Sequence, residues 1–169
     1  PLSMQRTLIM VRHAKAVYAS ALESDFDRAL SDRGKEDAVA MGKKLHQTAL
    51  IPDLIIASPA KRTRQTAKRL AKELNYDPED IVYLEKLYHC TPAVFEAVLR
   101  DAVAPTVGTL YIVAHNPGIT EFVDRVSPKF RVDNMPTCGV AGIHFEGIEW
   151  GNYTTATDRN VFYFEFPRN

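Results

Sequence analysis

Residues 7–13 read Thr7-Leu8-Ile9-Met10-Val11-Arg12-His13. The four apolar residues 8–11 show no polar alternation, which predicts a strand buried on both faces, in a sheet covered by helices on each side. The run stops at a cation and an imidazole, followed by the small Ala14. An arginine at the mouth of a buried strand costs desolvation unless it meets an anion there. Taken alone, Arg12-His13 reads equally well as a snorkelling arginine beside an ordinary loop histidine.

The same pattern recurs along the chain. Residues 54–57 form a second apolar run, ending in Ser58-Pro59-Ala60-Lys61-Arg62. Residues 110–114 form another, ending in His115-Asn116-Pro117-Gly118. Residues 81–84 are a further strand candidate. Helical spacing fills the intervals. Ser31 is placed to cap a helix whose apolar face is Ala38, Met41, Gly42 and Leu45, broken at Ile51-Pro52-Asp53. Ala67, Leu70, Ala71 and Leu74 face the core in a second helix, with Arg64, Lys68, Arg69 and Lys72 outside it. Thr91-Pro92 opens a third, with Phe95, Val98, Leu99 and Ala102 as its stripe. Asn116 and Pro117 are expected as cap and first residue of a fourth, running to about Val126. Residues 140–145 and 161–166 read as two strands adding an antiparallel edge. Strands separated by helices in this way imply parallel β-α units with right-handed crossovers, an α/β protein.

Bulk composition sets limits. The 169 residues suit one domain, expected over residues 4–169, with Pro1-Leu2-Ser3 ahead of Met4 read as a foreign remnant. Apolar residues make up 46% and charged ones 25%, as in an average soluble globular protein. No apolar run approaches the ~20 residues that cross a bilayer, and no secretory-type leader is evident. No membrane association is expected, and a monomer is. Basic and acidic residues balance at 21 each, which argues against a general polyanion binder, so no nucleic-acid partner is expected. The two cysteines, Cys90 and Cys138, form no metal-type or redox-type pair, and a reducing cytoplasm is the simplest setting. Glu96 and His144 stand six residues after them, where thiol-based phosphate chemistry needs an arginine.

In a parallel sheet the carboxyl ends of the strands share one edge, where ligands bind. Arg12, His13, Arg62 and His115 are therefore expected to converge. Such a pocket suits a phosphoryl group, because guanidinium forks bind phosphate oxygens in pairs and stay charged. The helix beginning near Asn116 would add backbone N–H groups. There is no glycine-rich P-loop ending in Gly-Lys-Ser or Gly-Lys-Thr and no evident carboxylate cluster, so neither a metal nor another cofactor is expected. One histidine can then attack phosphorus as a neutral imidazole and become a phosphohistidine. His13 is assigned that role. His115 is expected to donate to an equatorial oxygen, helped by protonation in the anionic pocket.

Arg12-His13-Ala14 resembles the RHG motif of the histidine phosphatase superfamily, with alanine for glycine. Ser58-Pro59-Ala60-Lys61-Arg62, with Gln65-Thr66-Ala67 behind it, is similar to that superfamily's second arginine segment. Residues 113–118 look like its second-histidine segment in the form typical of SixA-like phosphohistidine phosphatases. Asp25-Phe26-Asp27-Arg28 before Leu30-Ser31, Leu87-Tyr88-His89 and Pro136-Thr137 also match that branch. The resemblance implies a three-layer α/β/α fold of phosphoglycerate mutase type and a phosphatase with a phosphohistidine intermediate. It carries Arg12, Arg62 and His115 over as phosphate ligands and His13 as nucleophile. Arg28 corresponds to an arginine that reaches the pocket in this branch, or else is a loop cation, and Asn116 is taken as a further substrate contact.

The proton donor stays open between Glu85, His89 and none. Glu85 is the nearest acid after the third strand, although it reads equally as a solvated residue. A phosphohistidine substrate, with its good leaving group, would tolerate a weak acid. The substrate is accordingly a phosphorylated protein or, alternatively, a small phosphate ester handled by a phosphomonoesterase or mutase. A different class, a phosphate- or nucleic-acid-binding module, would use Lys61, Arg62, Arg64, Lys68, Arg69 and Lys72 as a basic helix face. A metal site built from His13, His89, His115 and His144 lacks zinc-like local spacing.

Overall fold

The computed structural model describes residues 3–127, 129–154 and 159–168. Pro1 and Leu2 of the expected remnant, Asn169 of the expected domain and residues 155–158 before the last strand lie outside the described residues. The strands are β1 (Met4–Arg12), β2 (Leu54–Ala57), β3 (Val82–Tyr83), β4 (Thr109–Ala114), β5 (Val140–Gly147) and β6 (Asn160–Glu165). The helices are α1 (Asp32–Gln47), α2 (Lys61–Glu73), α3 (Pro92–Asp101) and α4 (Gly118–Val126).

Among the described residues the strands form one six-stranded sheet in the order β3-β2-β4-β1-β5-β6. The first four are mutually parallel. β5 runs antiparallel to β1, and β6 antiparallel to β5. This is the mostly parallel sheet with an antiparallel edge that the apolar runs predict.

The absence of polar alternation in those runs has a direct cause. Side chains alternate across a strand, and both faces of this sheet are covered. Leu8, Met10, Ile56, Leu110 and Ile112 pack on Phe95, Val98, Leu99, Ile119 and Phe122 of α3 and α4. Ile9, Val11, Ile55, Tyr111 and Val113 pack on Ala38, Met41, Leu45, Ala67 and Leu70 of α1 and α2. Each fully buried aliphatic side chain contributes about 1.5–3 kcal/mol, so both layers are held mainly by these contacts.

Local signals hold with three adjustments. Ser31 caps α1, its hydroxyl accepting from the Gly34 N–H at 3.1 Å. β3 shrinks to Val82–Tyr83 because it pairs only with Ile56 and Ala57 at the end of β2. α3 stops at Asp101, so Ala102 leaves the helical stripe and is exposed while Val103 is buried instead. α4 begins at Gly118, and Asn116 caps it from outside, its carbonyl oxygen accepting from the Thr120 N–H at 3.3 Å and hydroxyl at 2.8 Å.

β1 and β4 are neighbours, yet the chain leaves β1 for α1 on one face and leaves β4 for α4 on the other. That divergence opens a crevice at their carboxyl ends, the usual ligand position in such sheets. No described helix is long and apolar enough to cross a membrane.

Candidate active site

Arg12-His13 and His115 stand at that crevice, at the ends of β1 and β4. The His13 N–H donates to Ala114 O at 3.1 Å, tying the two strand ends together. The Ala14 N–H donates to Thr66 Oγ1 at 3.0 Å, and that hydroxyl donates to Arg62 O at 2.8 Å. The turn after His13 is thereby fixed to the first turn of α2, which carries Arg62 inward, 1% exposed. From the end of β2, Ser58 pairs its hydroxyl with His115 Nε2 at 2.7 Å. The His13 and His115 ring centroids lie 5.4 Å apart. Arg12 Nη1 donates to Met135 O at 2.9 Å. The four residues expected to converge are gathered around one crevice.

The electrostatics follow from packing cations around buried imidazoles. His13 Nδ1 lies 2.7 Å from Ala14 O, which can only accept, so the ring proton sits on Nδ1 and Nε2 keeps its lone pair. Burial first, then the charges of Arg62, Arg12 and Arg28, push the His13 imidazole down to about 3, against the partly opposing bond to Ala14. Burial, then His13, Arg62 and His89, push His115 down to about 2. In the free pocket His115 is therefore neutral, and the expected protonation belongs to the pocket once it holds an anion. Burial and the charge of Arg62 likewise lower Arg12. Among the described residues, Arg12 Nε, Arg62 Nε and His115 Nδ1 are buried without a hydrogen-bond partner.

The residue that organises the rim has no role expected from the sequence. Asp25, in the 3-10 turn Asp25–Asp27, accepts at Oδ2 from Arg62 Nη2 at 3.0 Å, Tyr88 Oη at 2.5 Å and His89 Nε2 at 3.0 Å. Its Oδ1 accepts from Arg28 Nε at 3.0 Å, and its main-chain oxygen from Arg62 Nη1 at 2.7 Å. Burial alone would raise this carboxyl. The hydrogen bonds from Tyr88, His89 and Arg62, with the charge of Arg62, outweigh burial and hold it well below the usual carboxylate range. Tyr88 and His89 follow the 3-10 turn Glu85–Leu87. The His89 ring centroid is 4.8 Å from that of His115 and 4.3 Å from that of Tyr88. A Cβ on Gly118 would stand 2.3 Å from Cys90 O, so only glycine at the head of α4 lets this loop approach His115. The available signals were Asp25 three residues before Arg28 and the Tyr88-His89 pair after the third strand.

The remaining expected residues divide. Arg28 is tethered to Asp25 and Val17 O, and its charge reaches His13, so it stands at the rim. Asn116 does not offer its side chain to a ligand. Its amide donates to Asn134 Oδ1 at 3.1 Å and Met135 O at 3.0 Å, while its carbonyl is taken up by Thr120. Glu85 is exposed, and among the described residues its carboxylate has no hydrogen bond or ion pair. It is not placed as the acid. His144 is paired with Thr7 in the β5–β1 register, away from the carboxyl ends, and stacks on Phe162 at 3.5 Å. It therefore cannot join the other three histidines, and among the described residues no three metal-type ligands cluster. Burial raises the Cys90 thiol to about 11 and Cys138 to about 12. The basic run of α2 is split, with Arg62 buried in the site and Lys61, Arg64 and Lys68 lining a flanking cavity of about 310 Å³ beside Phe26. It does not form the continuous face that the nucleic-acid alternative requires.

Known proteins resemble this chain in sequence and in fold. The family described as histidine phosphatase superfamily (branch 1) matches residues 8–121, more than half of the chain. A chloroplastic Arabidopsis thaliana protein, At3g52155, is 26% identical over 155 residues, covering 88% of this chain and 70% of its own length. The mitochondrial serine/threonine-protein phosphatase Pgam5 of Drosophila ananassae is 36% identical over 77 residues, 46% of this chain but only 26% of its own length. Among solved structures, one assigned as the phosphohistidine phosphatase SixA of Agrobacterium tumefaciens superposes with a TM-score of 0.78 at 24% identity, covering 96% of this chain and 99% of the other. The protein histidine phosphatase SixA complexed with tungstate superposes with a TM-score of 0.74 at 19% identity, covering 95% and 96%. These two likenesses show a shared fold.

Proposed function

The chain belongs to the histidine phosphatase superfamily, and from that premise we propose that it is a metal-independent phosphatase acting on phosphohistidine in a protein. The observation that carries the reading is the tautomer of His13: its proton is held on Nδ1 by Ala14 O, leaving Nε2 as a lone pair among cations. A bound phosphoryl group would meet the guanidiniums of Arg12 and of Arg62, the latter also paired with Asp25, and each keeps a buried Nε with no hydrogen-bond partner among the described residues. Preorganised cations of this kind stabilise charge developing on the transferring oxygens without a metal. His13 Nε2 forms the bond to phosphorus as the bond to the leaving nitrogen breaks, and water then cleaves the phosphohistidine. An incoming dianion reverses the field at His115, which can then take a proton and donate to a phosphoryl oxygen.

A protein substrate is favoured by the rim. Val17, Tyr18, Leu22 and Phe26, on the segment that carries Asp25, are large apolar side chains left exposed, Tyr18 at 89% and Leu22 at 98%. Exposed apolar groups beside a cationic cavity suit a folded partner surface better than a small sugar phosphate. The same reading takes residues 4–169 as one domain, monomeric, in a reducing cytoplasm that keeps the two free cysteines reduced. The test is turnover of a phosphohistidine-bearing protein against sugar phosphates, with His13→Ala as control. The reading predicts preference for the protein and abolished turnover in a folded His13→Ala. Full activity of that variant removes the nucleophile assignment, and preference for sugar phosphates removes the protein substrate.

A further inference from the structure

Among the described residues no hydrogen bond or ion pair ties the Glu85 carboxylate to the site, and the rim contains a different arrangement. We propose that His89, held by Asp25, is the proton donor to the leaving group; this rests on the phosphatase reading above. An ionised carboxylate can only accept, so the 3.0 Å contact from His89 Nε2 to Asp25 Oδ2 fixes a proton on Nε2. A second proton on Nδ1 makes an imidazolium paired with that carboxylate, and Nδ1 is the proton to be given. Asp25 is the positioning residue, aiming the ring as an acid aims a catalytic imidazole in other enzymes.

The location fits the role. Arg62 Nη2, the phosphate-facing cation, lies 3.4 Å from His89 Nε2. The His89 ring adjoins His115, which in turn adjoins the nucleophile His13. Its side chain is 46% exposed, so a leaving group can reach it. Facing it are Asp25 as the anion, Arg62 as the opposing cation, and the uncharged Tyr88 and His115. Its backbone sits at φ +50, in the left-handed region that histidine shares with asparagine and aspartate.

The step balances. His13 Nε2 bonds to phosphorus, the bond from phosphorus to the leaving atom breaks, and the Nδ1 proton of His89 passes to that atom. Neutral His89 next takes a proton from the attacking water as the His13–phosphorus bond breaks. Inorganic phosphate leaves and the imidazolium is restored.

The deciding experiment uses the full chain carrying His89→Asn, since asparagine tolerates the left-handed backbone. Its kcat/KM is measured on phosphate monoesters graded from 4-nitrophenyl to alkyl leaving groups, with wild type alongside. A proton donor predicts a loss on the order of 10²-fold for alkyl esters that shrinks steadily toward the nitrophenyl ester, whose leaving group departs unprotonated. A loss equal across the series, or no loss at all, overturns the proposal and leaves His89 a brace for Arg62. His89→Gln, run identically, replaces the asparagine variant if thermal unfolding shows that variant to be misfolded. Wild type inactive on every ester and on a phosphohistidine protein would instead overturn the phosphatase reading, and the proposal with it.

Discussion

Acidification should destabilise this fold through its two buried imidazoles. His13 and His115 are pushed down to about 3 and about 2 in the folded chain, whereas an unfolded histidine titrates near ~6.5. Below pH ~6.5 the unfolded chain therefore binds more protons than the folded one, so stability is full above that pH and falls as the pH drops toward the folded values. At pH 5 the gap is ~1.5 pH units per histidine, which at ~1.36 kcal/mol per unit is about 2 kcal/mol each and about 4 kcal/mol for both. That is a large part of a typical stability of ~5–15 kcal/mol. Asp25, held ionised well below its usual range, contributes equally at pH 7 and pH 5 and does not disturb the comparison. The assay is urea unfolding at pH 7, 6 and 5 for wild type and for a variant with both His13→Gln and His115→Gln. Wild type should lose about 4 kcal/mol more than the variant over this range, and phosphate or tungstate should reduce the loss by offsetting the cations. Parallel pH dependences for the two proteins would refute the reasoning.

Gly118→Ala should cost about 1–3 kcal/mol and lower turnover, because its Cβ would meet Cys90 O at 2.3 Å and push the Tyr88-His89 loop off the site; thermal unfolding and steady-state kinetics check both. Asn116→Ala should cost about 2 kcal/mol or more in denaturant unfolding, since the amide bonds Asn134, Met135 and Thr120, and should change KM little at fixed folded fraction. Iodoacetamide at neutral pH should leave activity intact for as long as a free-thiol control takes to react, because burial holds the Cys90 thiol near about 11.

The four residues at the strand ends were legible because each follows an apolar run that only a doubly covered sheet explains, as the two cores beside Ile9 and Met10 show. Ser31 was legible because a cap acts over three residues. Asp25 was not. Its partners Arg62, Tyr88 and His89 lie 37 to 64 residues away and meet it only when two irregular turns fold over the sheet edge. Irregular polar turns carry no period to read. Glu85 attracted attention by its place after the third strand, but the 3-10 turn it starts leaves it in solvent. Asn116, expected as a substrate contact, spends all its side-chain hydrogen-bonding capacity inside the chain, on partners up to nineteen residues away.

The placing of β4 between β1 and β2 has a kinetic corollary. The two earlier strands cannot pair with each other; they must keep open a slot that a segment some fifty residues downstream later fills. Premature zippering of the first strand onto the second would be an off-pathway trap, and long-range insertion of this kind is intrinsically slow. Affinity for an oxyanion would then appear late in refolding, in step with insertion of the central strand rather than with early helix formation.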